Sequence, residues 1–153
     1  MQGLDRLIAC AGHWHGVNRL QDPNTGLPEA SPTTATITPV LAARFVRIDY
    51  TWAYQGNAQE GSLLIGYETE TAVATAYWID SWHMGDKVMV CPGTVDEQGN
   101  LLVRGTFAAG DGPDWGWHIA ITSSEAQSFG FVMHNVEPNG REWLAVEAEY
   151  TRV

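Results

Sequence analysis

The sequence predicts an all-β chain, an antiparallel up-and-down barrel of about ten strands closed by a short N-terminal helix. Three observations predict it. Beyond Gly12 the apolar residues recur with period two over a series of short runs. Turn sequences rich in Gly, Asn, Asp and Pro separate those runs. The seven Trp, five Tyr and four Phe are residues that favour pleated, half-buried surfaces.

The helix comes first. Within Gln2–Ala11, Leu4, Leu7, Ile8 and Ala11 recur at helical spacing, and Gly12 follows where a glycine ends a last turn. So short a helix needs a surface to pack on, and one end of a barrel suits it. The expected strands are His13–Leu20, Thr33–Pro39, Arg44–Tyr54, Ser62–Glu68, Ala72–His83, Lys87–Asp96, Leu101–Ala108, Trp115–Thr122, Gln127–Val136 and Arg141–Val153. Among the turns, Asn139-Gly140 favours the positive dihedrals of a tight hairpin. A meander of ten twisted strands leaves two raw edges unless it closes on itself. A two-sheet sandwich is the alternative, but it needs longer crossing connections. Only Leu20–Pro32, with three prolines, is long enough, and this segment is expected to be irregular and to cover a barrel mouth. No repeat, linker or low-complexity segment divides residues 1–153, which read as a single domain.

Composition excludes several partners. The net charge is −10, with 18 acids against 8 bases. Nucleic acid and anionic lipid both demand clustered Lys and Arg, and there are none. No segment has the apolar length of a membrane span, and Met1–Ala11 has no secretory pattern, so a cytoplasmic protein is expected. Cys10 and Cys91 match no zinc or redox spacing and read as two free thiols, with a bridge between them left open.

Alternation assigns faces. In Arg44–Tyr54, Val46, Ile48, Tyr50, Trp52 and Tyr54 share the face expected to point inward, and Phe45, Arg47, Asp49 and Thr51 share the other. Trp115, Trp117, Ile119 and Ile121 oppose His118, and Phe129, Phe131 and Met133 oppose His134. In Ala72–His83 both faces mix bulk with polarity and neither is assigned. A ten-stranded barrel is wider than an eight-stranded one, so its interior has room for a ligand, with Asp80, Arg47 or His118 as inward polar groups.

Two stretches resemble known families. Gly12-His13-Trp14 opens the first strand and is similar to the start of calycin-type barrels, including lipocalins, fatty-acid-binding proteins and nitrobindins. Gly66-Tyr67, Tyr77-Trp78-Ile79-Asp80-Ser81, Gly93-Thr94-Val95-Asp96 with Gly99, and Glu149-Tyr150-Thr151-Arg152 together resemble an uncharacterised bacterial family, the domain of unknown function fifteen-seventy-nine. The resemblance runs from Gly12 to Arg152. It implies a calycin-like, lipocalin-like barrel with Trp14 packed at a closed base and His13 and His15 pointing outward. It implies no activity and carries over no catalytic residue.

The expected function is binding of a small apolar or aromatic ligand. Tyr50, Trp52, Tyr67, Trp78 and Trp82 form walls, and Asp80 and His118 orient the ligand. No catalytic residue and no metal site is expected. Asp80 and His83 fall on opposite faces of one expected strand and so do not pair. His13 and His15 share a face but lack a third ligand. Ser123-Ser124 lacks a nucleophile elbow. Cys91 has no activating base nearby. No cofactor is expected; haem is a minor alternative with His118 or His134 as its ligand. An enzyme working inside the barrel and a filled barrel acting through its surface, for example as a homodimer, are the other readings.

Overall fold

The computed structural model describes residues 3–124 and 126–153. A four-residue helix α1 (Asp5–Ile8) precedes ten strands: β1 (Gly12–Gln21), β2 (Pro28–Val40), β3 (Phe45–Tyr54), β4 (Asn57–Glu68), β5 (Val73–Asp80), β6 (Met89–Val95), β7 (Leu101–Phe107), β8 (Trp115–Ser124), β9 (Ser128–Val136) and β10 (Glu142–Arg152). Each strand pairs antiparallel with its sequence neighbour, and β10 returns to β1, so the sheet is a closed barrel. This is the expected fold, and the sandwich is excluded. The helix is shorter than Gln2–Ala11, and Gln2 lies outside the described residues, as does Glu125 in the turn after β8.

Two expected boundaries were wrong for physical reasons. The stretch from Leu20 to Pro32 is not a long irregular cover, because β2 begins at Pro28. Between Pro28 and Pro32 the strand pairs with β1, and its ladder to β3 starts only at Thr34. That half of β2 is therefore an edge, where a missing proline N–H costs little. The run Ala72–His83 stops as a strand at Asp80, because the Asp80 carboxylate accepts the backbone N–H groups of Trp82 and His83 and turns the chain. The inward face of β5 is thereby settled. Ala74, Ala76, Trp78 and Asp80 are buried, while Tyr77 and Ile79 point out.

The waist of the barrel is packed. Ile48, Leu63, Ile65, Ala76, Val103 and Ile119 expose no surface. Each large apolar side chain so buried contributes roughly 1.5–3 kcal/mol. The expected room for a guest is therefore not at the waist.

One end is closed. Leu4 and Leu7 of the α1 segment are buried against the barrel. The Trp14 indole N–H donates to the Cys10 carbonyl at 2.8 Å, and its ring meets Phe129 edge-on at 5.0 Å. The Arg152 guanidinium lies 4.5 Å over the Trp14 ring and donates to the carbonyls of Ala9, Ala11 and Ala126. Carbonyls just past a helix end lack intrahelical partners, and Arg152 supplies them. His13 and His15 are exposed, as the resemblance implied.

Candidate functional site

The opposite mouth carries the loops after β1, β3, β5, β7 and β9. Asp80, the last residue of β5, is 3% exposed there. Its Oδ2 accepts the Tyr50 hydroxyl at 2.7 Å and the Trp52 indole N–H at 3.2 Å. Its Oδ1 accepts the N–H groups of Trp82 and His83, both at 2.9 Å, and lies 3.1 Å from His83 Nδ1. Trp78 donates its indole N–H to the Tyr50 oxygen at 2.9 Å. Tyr50, Gly61 and Asp80 are successive partners across β3, β4 and β5. A Cβ at Gly61 would fall 2.2 Å from the Tyr50 hydroxyl, so the missing side chain is what lets Tyr50 reach Asp80.

The His83 ring sits inside a cage of indoles. Its centroid lies 5.5 Å from Trp52, 5.6 Å from Trp78, 4.8 Å from Trp82 and 5.5 Å from Trp117. Trp78 and Trp117 stack at 5.1 Å, and Tyr54 lies 4.9 Å from Trp82. The Tyr54 hydroxyl donates to the buried Asp22 at 2.9 Å, tying the β1–β2 loop to the rim.

Two atoms in this cage stay free. His83 Nε2 has no hydrogen-bond partner among the described residues, and its side chain is 12% exposed. The buried Trp117 indole nitrogen has no partner either. Leaving such a donor unmet costs about 1–3 kcal/mol.

Electrostatics fix the protonation states. Burial pushes the Asp80 carboxyl up, but the bond and charge of His83 and the Tyr50 hydroxyl outweigh it, and the group titrates below its ordinary value. Burial, then the Asp80 charge, pushes Tyr50 well above its ordinary value. Asp80 is therefore an anion and Tyr50 a neutral donor at neutral pH. A proton on His83 Nδ1 meets the Asp80 carboxylate, and Nε2 is left without a partner among the described residues.

Of the expected ligand-binding residues, the structure gathers Tyr50, Trp52, Trp78, Asp80 and Trp82 here. Tyr67 lies at the other end, against Gly3 near α1. His118 is corrected: it points outward from β8, 2.8 Å from Glu142, and its cross-strand neighbour His134 shares that outer face. Neither of these two candidate ligands for the minor haem alternative points into the barrel. Arg47 also points outward, paired to Asp49 at 2.8 Å. The separation of Asp80 from His83 is overturned, since the strand ends before His83. Alternation groups Trp117 with Ile119 and Ile121 opposite His118 but does not place it in the site. Asp80-Ser81-Trp82-His83 read as an Asx-type turn would have found His83.

Cys10 and Cys91 are buried and free, and burial pushes the Cys91 thiol up to about 11. His13 pairs with Thr36 and His15 with Thr151. Among the described residues no three His, Cys, Asp or Glu are placed to hold a metal ion. No helix among them is long and apolar enough to cross a membrane.

Fold and site together define a closed, ten-stranded antiparallel barrel with a packed waist and an aromatic mouth built on the buried Asp80 and its partner His83. The chain belongs to the family described as protein of unknown function (DUF1579), whose model matches residues 5–152. A solved structure with the same fold is Rv2717c from M. tuberculosis, at TM-score 0.69 and 10% identity, over 98% of this chain and 96% of that one. At that identity the likeness concerns the fold alone. No curated protein matches the chain.

Proposed function

We propose that the protein binds a small, flat, aromatic compound at the mouth around His83. The observation that carries this is the pairing of a ring cage with two unmet polar atoms, His83 Nε2 and the Trp117 N–H. A ligand that slides a ring against Trp82 and Trp52 supplies a donor to the first and an acceptor to the second. Phenols, lactams and related heteroaromatics bear both. This is the usual chemistry of a small-molecule site, apolar walls with a few placed polar groups.

The test is native mass spectrometry of freshly purified protein, followed by saturation-transfer NMR with a panel of phenols and heteroaromatic lactams. Binding is expected for some members and falls at least tenfold in His83→Ala. A panel with no binder, or binders indifferent to His83→Ala and Trp82→Ala, overturns the reading.

The Asp80–His83 contact favours a second reading, an enzyme that uses His83 Nε2 as a general base on such a ligand. It predicts slow turnover of a bound compound, lost in Asp80→Asn, where the binding reading predicts recovery of the compound unchanged.

A further inference from the structure

The outer face of β4, β5 and β6 is apolar. Leu64 pairs across the strands with Tyr77, and Tyr77 with Val90. Ile79 follows Tyr77 on β5, and the register continued past Trp78 and Met89 sets Val88 beside it. Tyr77 is 44% exposed, Ile79 46%, Val88 59% and Val90 53%. Large apolar side chains exposed singly are ordinary, but contiguous across three strands they mark an interaction surface.

Charge around this stripe is asymmetric. No charged residue lies on β5 before Asp80, which points inward, and none lies on β6, while the exposed Asp86 and Lys87 directly precede Val88. On the β4 side the stripe is flanked by exposed Glu60 and Glu68, neither in an ion pair among the described residues, and beyond Leu64 by the mutually paired Arg47 and Asp49 of β3. On the β7 side the only charged residue is Arg104, exposed and likewise unpaired.

We propose that this face is where two copies of the chain associate. The strands close into a ring, and the stretch 28–33 of β2 left unpaired by β3 is broken by Pro28 and Pro32, so association runs face to face. A two-fold axis along β5 lays the stripe on its own copy. It also turns the acidic β4 flank of each copy toward the basic β7 flank of the other, so the contact is self-complementary. The stripe is, moreover, a neutral region on which two bodies of charge −10 can meet without opposing like charges. The proposal is independent of the ligand site, because these side chains point away from the barrel interior.

Sedimentation velocity of the full chain over a range of concentrations tests it. A dimer is expected at about 100 µM, as suits a contact worth micromolar affinity. Tyr77→Lys is expected to weaken it at least tenfold with an unchanged far-ultraviolet circular dichroism spectrum, since the side chain is outside the core. Should Tyr77→Lys perturb that spectrum, the charge swaps decide. Arg104→Glu weakens the dimer, and adding Glu68→Arg restores it, since Glu68 lies near the level of Arg104 along the sheet. A wild-type chain that stays monomeric, or a dimer untouched by Tyr77→Lys and Arg104→Glu, overturns the proposal.

Discussion

Five donors converge on the Asp80 carboxylate, and this explains why a buried charge is tolerable at the barrel mouth. Asp80→Asn keeps the size but turns an NH2 toward groups that are all donors. It is expected to cost about 2–3 kcal/mol, read as a lower urea midpoint at pH 7. The depressed titration adds a pH signature. Because Asp80 titrates below its ordinary 3.8 when folded, its contribution is present in full above that value and is lost as the pH falls further. The acid limb of the stability profile should therefore flatten in Asp80→Asn. Cys91 acts at the other extreme. Raised from 9.0 to about 11 when folded, it contributes in full below pH 9 and loses its contribution as the pH climbs through that window. Cys91→Ala should lessen the alkaline loss of stability. At this scale the sequence was half legible. Alternation on β3 put Tyr50 and Trp52 on one face. The partnership of Asp80 with His83 was hidden because it depends on where β5 stops, and a side chain bonding to backbone decides that.

Among the elements, the turn after β2 is the most strained. Leu41, Ala42 and Ala43 have φ of 51°, 56° and 63°, three successive left-handed residues without a glycine. Such a conformation costs an L-residue roughly 1–2 kcal/mol. Ala42→Gly is expected to gain about 0.5–1 kcal/mol after the added freedom of the unfolded chain is counted, a rise of roughly 2 °C in Tm by calorimetry. Gly61→Ala acts in the opposite sense. The new Cβ meets both the Tyr50 hydroxyl and the Ile79 carbonyl, so Tyr50 must leave Asp80. A loss of about 2 kcal/mol or more is expected by urea denaturation. The strands themselves were readable, since period-two runs between turn residues specify a half-buried sheet whatever the partner strand. The early start of β2 was not, because whether a proline is tolerated depends on which neighbour its edge faces.

Across the whole molecule, the two ends differ in kind. The base is sealed by apolar packing and one arginine, and the mouth by a polar network with unmet atoms. Of the residues that carry the family resemblance, Gly12, Trp14 and Arg152 meet at the base, whereas Trp78 and Asp80 lie at the mouth. The resemblance implied the barrel and assigned no activity to either end. Arg152→Ala removes the donors of three carbonyls and the cover of Trp14. Unfolding monitored by indole fluorescence should show a loss of about 2–3 kcal/mol, with the mouth spectrum and ligand response unchanged.

Every pairing in the ring but one joins strands adjacent in sequence, and the exception is β1 with β10, where Arg152 bonds to Ala11 across 141 residues. Hairpins of the local kind form in microseconds, whereas a contact at this separation waits on a large loss of chain entropy. The barrel is thus expected to spend its assembly as an open, curling ribbon, with β1 and then β9 offering bare amides until β10 docks. Its solubility while folding, unlike that of the finished ring, rests on how fast a single seam is zipped.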